Sequence, residues 1–210
     1  MKKRNFTLVE LLVVIGILAI LAGLIIPAVI SSKQKGRITQ ARADMSSLRT
    51  AFEGLYRDYG KMADGDKLGG KTFTKRTGSS PADYAYIEIG SGKDDYCCAI
   101  AELADPGNSS LTVSLNKRKT KYLDPRPEYD ASKSPTSDDN KEHTWLDPWG
   151  NPYMMRIDVG AGESIPDPSK SGKMLSARIV LWSLGPDGKG SSADDNKDNV
   201  AGWKDSDWLD

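Results

Sequence analysis

The chain has 210 residues, with 29 acidic and 29 basic side chains. This length leaves room for one globular domain of ordinary size, and the balanced charge provides no broad basic surface for nucleic acid. Basic residues are concentrated in residues 1–42 and aspartates in residues 186–210, which predicts a basic stem and an acidic tip. The two cysteines, Cys97 and Cys98, are adjacent, so they predict small buried apolar residues and exclude a disulfide-stapled fold.

Residues 6–30, FTLVELLVVIGILAILAGLIIPAVI, are apolar almost throughout. As a helix they would extend about 38 Å, enough to cross a bilayer. The run is longer than that of a signal peptide and no small-residue cleavage site closes it. Basic residues 2–4 should remain in the cytoplasm, so we predict a retained single-pass anchor with residues 31–210 on the other side.

Two residues are unusual for a plain anchor. Glu10 places a carboxylate in the apolar helix, which costs about 2.5–3.5 kcal/mol near the bilayer centre and indicates a partner. The alternative is that Glu10 lies at headgroup depth and reaches water. Pro27 lacks an amide hydrogen, so a kink or local melting is expected there.

Residues 31–60 continue the helix as an amphipathic segment ending at Gly60. Its apolar stripe predicts packing against the chain's own domain, because fewer than four clean heptads are present for a coiled coil. The stripe consists of Ile38, Ala41, Met45, Leu48, Phe52, Leu55 and Tyr59.

Residues 61–144 form a variable region of mixed pattern. Its predicted parts are a loop over 61–82, a strand over 84–89, a helix over 94–104, a strand over 111–115 and a loop over 126–144.

Residues 145–210 predict a small sheet. The stretch 145–153, WLDPWGNPY, predicts a tight turn with Trp149 as a core anchor, and a structural turn is favoured over a catalytic use of Asp147. The predicted strands are 153–157 and 177–183, joined by a loop over 158–173.

Glycines and aspartates crowd residues 183–200. Calcium prefers six to eight oxygen ligands, which such a loop can supply. The spacing is not that of an EF-hand, because no Glu closes the loop. A solvated acidic turn is the alternative.

Residues 2–15, KKRNFTLVELLVVI, resemble the prepilin-type cleavage and methylation motif of type IV pilins and type II secretion pseudopilins. The resemblance implies that a prepilin peptidase cuts between Asn5 and Phe6 and that Phe6 is then methylated. The residue before the cut is normally Gly, where this chain has Asn5. Glu10 matches the family's glutamate, and Pro27 matches a proline common later in the segment.

The sequence DPWGNPY resembles a motif in the C-terminal sheet of the major type II pseudopilin, and residues 183–200 are similar to its calcium loop. By that match the calcium ligands would be the side chains of Asp187, Asp194 and Asp195. The backbone oxygen of Leu184 and the carboxylate of Asp198 are further candidates.

These observations predict an α+β, type IV pilin-like fold, in which a long N-terminal helix, half transmembrane and half amphipathic, packs on a small C-terminal antiparallel sheet. Its predicted parts are a leader (1–5), a filament-core helix (6–30), an amphipathic half (31–60), a variable region (61–144) and a sheet with an acidic loop (145–210).

The predicted function is that of a type II secretion pseudopilus subunit. The chain would span the inner membrane with its domain in the periplasm, assemble into a filament, and work with the prepilin peptidase, the inner-membrane platform and minor pseudopilins. A type IV pilin, a minor pseudopilin and a monomeric membrane-anchored calcium-binding or adhesive module are the alternatives. An enzyme is not expected, because His143 is the sole histidine and no phosphate-binding glycine loop occurs.

Overall fold

The computed structural model describes residues 8–77, 84–90, 92–111, 115–160, 164–170, 172–190 and 199–202. The chain forms two compact units, residues 1–39 and residues 40–210. One helix, α1 (Leu8–Tyr59), supplies the described part of the first unit and begins the second. The long N-terminal helix that the sequence predicts is therefore confirmed over the described residues.

The second unit continues after α1 with nine strands and two further helices in the part that is described. In chain order these are β1 (Lys67–Leu68), β2 (Lys71–Thr72), β3 (Lys75–Thr77), β4 (Ala85–Ile89), α2 (Lys93–Ala104), α3 (Asp138–Lys141), β5 (Met154–Asp158), β6 (Ser164–Pro166), β7 (Met174–Ser176), β8 (Ile179–Ser183) and β9 (Val200–Ala201).

Within the second unit, α1 buries one apolar stripe, as its periodicity predicts. The buried residues are Ala41, Met45, Leu48, Ala51, Phe52 and Leu55, whereas Ile38 and Tyr59 are only half-buried. Gly60 adopts a φ of 69° and its amide donates to the carbonyl oxygen of Tyr56 at 2.7 Å. This left-handed cap ends the helix where the sequence predicts.

The main sheet is antiparallel, with the strand order β3-β4-β5-β8-β9. At its centre Ile87 lies opposite Ile157, which in turn lies opposite Ile179. All three side chains are buried. On the side of α1, the hydroxyl of Tyr153 donates to the carboxylate of Asp44 at 2.9 Å, so the helix is tied to the sheet by a polar contact as well as by apolar packing.

A second hairpin, β6–β7, packs on Val180 and Trp182 of β8. Arg156 connects this hairpin to the sheet. Its guanidinium donates to Glu88 at 2.7 Å and to the carbonyl oxygen of Pro166 at 3.0 Å, and it lies 5.5 Å from the ring centroid of Trp182. The charge is thus satisfied between strands and hairpin, as burial of an arginine requires.

The region 61–144 is organised around α2. Its residues from Tyr96 to Ala104 are all buried, and the carbonyl oxygen of Leu103 accepts hydrogen bonds from the amides of Tyr122 and Leu123. Both cysteines are free and buried on this helix, as predicted from their adjacency.

The sequence prediction of a loop over 61–82 is wrong in part, because β1, β2 and β3 lie in it. Gly69 and Gly70, at φ 57° and 79°, form the β1–β2 turn. A Cβ on Gly69 would come within 2.1 Å of the carbonyl oxygen of Cys98, so this turn packs directly on α2. Tertiary packing therefore orders a polar stretch that has no apolar period of its own.

Other predicted elements need smaller corrections. The loop predicted over 158–173 contains β6 and leads into β7, and the loop over 126–144 contains α3. Trp149 is half-buried and is not the core anchor of its turn. The predicted strand 111–115 falls largely on residues 112–114, which lie outside the described residues. The strands over 84–89, 153–157 and 177–183 and the helix over 94–104 are confirmed, with boundaries shifted by one or two residues.

Candidate functional site

The first functional feature is the apolar part of α1. An 18-residue window of this helix has a mean hydropathy of 3.0, and none of it is buried within the chain. Large apolar side chains, such as Leu8 at 77% and Leu24 at 72%, are exposed along it. Among the described residues this is the one helix long and apolar enough to cross a membrane. A surface of this kind must be covered by lipid or by other protein chains.

Glu10 lies in the first turn of this helix and its side chain is exposed. A carboxylate at a helix N-terminus is favoured by the helix dipole. The helix remains continuous through Pro27, without local melting at that residue. Asn5 and Phe6 lie outside the described residues, so their predicted roles in cleavage and methylation, and a contact between Phe6 and Glu10, stay predictions.

The second feature is the turn after Leu146. Asp147 is buried, at 5% exposure, and one carboxylate oxygen accepts the amides of Trp149 at 3.0 Å and Asn151 at 2.7 Å. Its other oxygen accepts the hydroxyl of Ser183 at 2.6 Å. One side chain thereby closes the turn and ties it to the last residue of β8.

This turn also holds the start of the acidic loop. The amide of Gly185 donates to the hydroxyl oxygen of Ser183 at 3.0 Å, and the side-chain amide of Asn151 donates to the carbonyl oxygen of Gly185 at 3.1 Å. Gly188 has a φ of 65°, and a Cβ there would lie 2.9 Å from the side-chain oxygen of Asn151. The backbone from Ser183 to Gly188 is therefore fixed against the turn.

The predicted calcium ligands are only partly described. Leu184 is half-buried, and Asp187 is exposed and accepts the amide of Lys189 at 2.9 Å. Asp194, Asp195 and Asp198 lie outside the described residues. Within the described ranges there is no group of three or more His, Cys, Asp or Glu side chains that could hold a metal ion. The described end of the loop offers oxygen donors of the type that calcium prefers, but it does not make a site by itself.

Burial raises the pKa of Asp147, and the hydrogen bonds from Ser183, Asn151 and Trp149 act in the opposite direction. Burial likewise raises the pKa of Asp44, against the lowering effects of the Tyr153 hydroxyl and the Arg126 guanidinium. In both cases desolvation of the charged form is the largest cause. The turn is thus a buried polar cluster whose ionisation is disfavoured.

The sequence prediction of a structural turn at 145–153 identified the right segment but not its central residue. Asp147 accepts the nearby amides of Trp149 and Asn151, and its bond from Ser183 spans 36 positions of the chain, which no local pattern predicts. A signal was present in the Asp-Pro-Trp-Gly order, since aspartate accepts backbone amides two residues on in such turns.

The chain is similar to known proteins both at its N-terminus and along most of its length. Residues 1–26 match the prokaryotic N-terminal methylation motif. The chain is 24% identical over 202 residues, 96% of each chain, to the type II secretion system core protein G of Pseudomonas aeruginosa. It is 40% identical over 52 residues, 25% of this chain and 33% of the relative, to the type II secretion system core protein G of Pectobacterium carotovorum subsp. carotovorum. No solved structure matches the chain.

The chain therefore carries the N-terminal methylation motif and is similar over almost its whole length to a type II secretion system core protein G. The match over residues 1–26 confirms the resemblance drawn from residues 2–15, whereas the one drawn from DPWGNPY stays a prediction. Both relatives are named as core proteins of a secretion system and not as enzymes, in agreement with the expectation from the sequence.

Replacing Asp147 tests the turn. Asp147→Ala leaves the two amides and the Ser183 hydroxyl without their acceptor and should lower the free energy of unfolding by about 2–4 kcal/mol. Asp147→Asn keeps an acceptor for both amides and should cost about 1 kcal/mol or less at pH 7. Urea unfolding of the detergent-solubilised chain, followed by tryptophan fluorescence, measures both.

The same variants have a defined pH dependence. Because the pKa of Asp147 is raised in the folded chain, its protonation stabilises the fold at low pH, and this contribution is lost as pH rises through the folded pKa. As the pH is lowered from 7 to 4, the free energy of unfolding of the native chain should therefore rise relative to that of Asp147→Asn. A drift in the opposite direction, or an Asp147→Ala variant as stable as the native chain, would contradict this role.

Proposed function

We propose, starting from the homology to core protein G of type II secretion systems, that the chain is the repeating subunit of a pseudopilus that helps to export proteins. The observation that carries this proposal is the uncovered apolar helix with Glu10 in its first turn, within a matched methylation motif. A soluble domain would not leave such an apolar helix uncovered, and a helix that serves only as a membrane anchor would not need a carboxylate, which is costly in lipid.

Processing comes first in this mechanism. The basic residues 2–4 hold the N-terminus in the cytoplasm, so the domain that begins in α1 lies in the periplasm. A prepilin peptidase cuts after Asn5 and releases Phe6, which is then methylated on its new amino group. A methylated amine remains a cation and can still pair with a carboxylate.

Assembly follows from the charge that the cut creates. The amino group of Phe6 in one subunit pairs with Glu10 of its neighbour, since a carboxylate in an apolar segment needs a partner. In a low-dielectric environment this attraction is much stronger than in water. The pair fixes the register between subunits, and the apolar helices leave lipid together to form the filament core.

The partners of this cycle are the prepilin peptidase, an inner-membrane secretion platform and minor pseudopilins. The two cysteines favour a pseudopilin over a type IV pilin, which usually closes its C-terminal region with a disulfide. Here both cysteines are free and buried on α2, away from the C-terminal sheet strands in sequence.

Calcium is the proposed cofactor of the acidic loop. Asp187, Asp194 and Asp195, with the backbone oxygen of Leu184, would hold the ion, and Asp198 is a further candidate. The donor set fits a hard cation, because it consists of carboxylate and carbonyl oxygens. The Asp147 turn supports this proposal by fixing the backbone at the start of the loop. Bound calcium would offset the repulsion between the adjacent aspartates.

Removing the helix carboxylate tests assembly. Glu10→Ala and Glu10→Gln should reduce filament yield about tenfold or more, because a loss of about 1.4 kcal/mol per contact changes association tenfold. Filaments sheared or extracted from cells are quantified against total membrane protein. Glu128→Ala, which removes an exposed acid from the second unit, is the matched control and should assemble normally. Normal filaments from Glu10→Ala would favour a monomeric anchored module instead.

Calcium binding is tested by thermal unfolding of the full chain in detergent. At calcium concentrations about 100-fold above Kd, the melting temperature should rise by about 5–10 °C and return on chelation. Asp187→Asn should reduce the shift, whereas Asp124→Asn, at an exposed acid outside the loop, should preserve it. A melting temperature that does not respond to calcium would refute the site.

A further inference from the structure

A group of basic side chains follows directly on the apolar part of α1. Lys33 and Lys35 are exposed and Arg37 is half-buried, and all three lie in the first compact unit. We call these three residues the basic collar. Among the described residues, none of their side chains takes part in an ion pair or a hydrogen bond. Three cations on one short stretch of helix therefore indicate an anionic partner.

The acids of the same helix do not neutralise the basic collar. Residues 11–43 contain no aspartate or glutamate. Glu10 lies about 35 Å before the collar along the helix. The next acid, Asp44, already accepts the hydroxyl of Tyr153 at 2.9 Å and a guanidinium nitrogen of Arg126 at 3.4 Å. The anion must therefore come from outside this helix.

The basic collar lies at the depth of lipid headgroups when the apolar segment spans a bilayer. The apolar run ends at Ile30, and at about 1.5 Å per residue Lys33 and Arg37 follow it by about 4.5 and 10.5 Å. Headgroups occupy about 5–7.5 Å on each side of the hydrocarbon core. Side chains on a helix lean towards its N-terminus, which brings the charged ends back towards the bilayer. The collar can therefore reach lipid phosphates.

Lys33 and Arg37 form a pair on one side of the helix. Residues four apart are neighbours on a helix surface, and two like charges in this relation repel each other. A phosphate between them offsets the repulsion, because each cation can donate to its oxygens and a guanidinium can donate two hydrogen bonds. Gly36 carries no side chain beside this pair, and a Cβ there would meet nothing within 4 Å. The headgroup therefore has room to approach the helix.

We propose that the basic collar binds the headgroups of anionic phospholipids, with one phosphate held between Lys33 and Arg37. Lys35 lies on the opposite side of the helix, since two residues correspond to a rotation of about 200°, and it contacts a second headgroup. Lipid is the occupant because the collar continues an apolar surface that spans a bilayer. The site goes beyond the proposed function, because it requires a helix in a bilayer and not a filament.

The charge of the basic collar selects among lipids. A zwitterionic headgroup carries its own cation beside the phosphate, whereas an anionic headgroup leaves the phosphate charge to the protein. Basic residues next to a membrane-crossing helix are attracted to anionic lipid, and salt screens this attraction. The collar therefore prefers anionic headgroups, most strongly at low ionic strength.

Spin-labelled lipids test the proposal in phosphatidylcholine vesicles that contain the full chain. The fraction of each labelled lipid that the protein immobilises gives its relative association. The leader has bases of its own, so every chain tested carries Lys2→Gln, Lys3→Gln and Arg4→Gln. In this background phosphatidylglycerol should associate at least threefold more strongly than phosphatidylcholine, and 1 M salt should reduce that ratio.

Replacing the collar should remove the preference. The triple variant Lys33→Gln, Lys35→Gln, Arg37→Gln should bring the ratio of the two lipids to about one. Glutamine is a good helix former, so α1 should persist, which circular dichroism checks. Arg37→Lys keeps the charge and should preserve most of the preference.

The matched control removes three exposed bases from the second unit. Lys67→Gln, Lys75→Gln and Arg76→Gln should leave the ratio of the two lipids unchanged. A ratio of about one before any collar substitution would overturn the proposal, and so would an unchanged ratio in the triple collar variant. Salt-sensitive association of chains in phosphatidylcholine without a lipid preference would also overturn it, because the occupant would then be a second copy.

Discussion

The constraint on which this protein depends is an apolar helix that its own chain does not cover. The side chains of Leu8 to Ile30 are exposed along α1, and an apolar surface of that extent is stable only in lipid or against other chains. Under the proposed function, the carboxylate of Glu10 makes this choice selective, because its free-energy cost in lipid would be offset beside a cation on another subunit.

The second unit is built so that one polar cluster connects its distant parts. Asp147 links its own turn to Ser183 at the end of β8, and Asn151 of that turn continues the link to Gly185. Nearby, Tyr153 connects the strand after the turn to Asp44 on α1. Helix, sheet and the start of the acidic loop are thereby held in one arrangement, as the proposed role of a repeating filament subunit requires.

Periodicity predicted much of this fold, because helices and strands with one buried face leave a pattern in the chain. The stripe from Ala41 to Leu55 and the strand ending at Ser183 are examples. The polar stretch before residue 78 was less predictable, since its strands depend on a turn at Gly69 that packs on α2. Likewise Gly54 weakens a helix locally, and only the ring of Tyr122, 2.9 Å from where its Cβ would lie, accounts for it.

The functional features also differ in how far the sequence alone predicts them. Glu10 and the methylation motif lie in one continuous stretch, so they can be recognised from the sequence alone, and the motif match over residues 1–26 includes them. The bond from Ser183 to Asp147 joins residues that are 36 positions apart in the chain, and no local pattern specifies it. The acidic loop is intermediate between these cases. Its composition indicates oxygen ligands, but which oxygens come together around one ion depends on how the loop folds.

The mass of the N-terminal peptide of the membrane-extracted protein tests the account most directly. The proposed mechanism requires a free cation on Phe6 to meet Glu10, and the residue before the cut is Asn5 rather than the usual glycine. The account predicts a chain that begins with methylated Phe6. A chain that retains Met1 and residues 2–5 would contradict it, because no amino group would then be available at Phe6 to pair with Glu10.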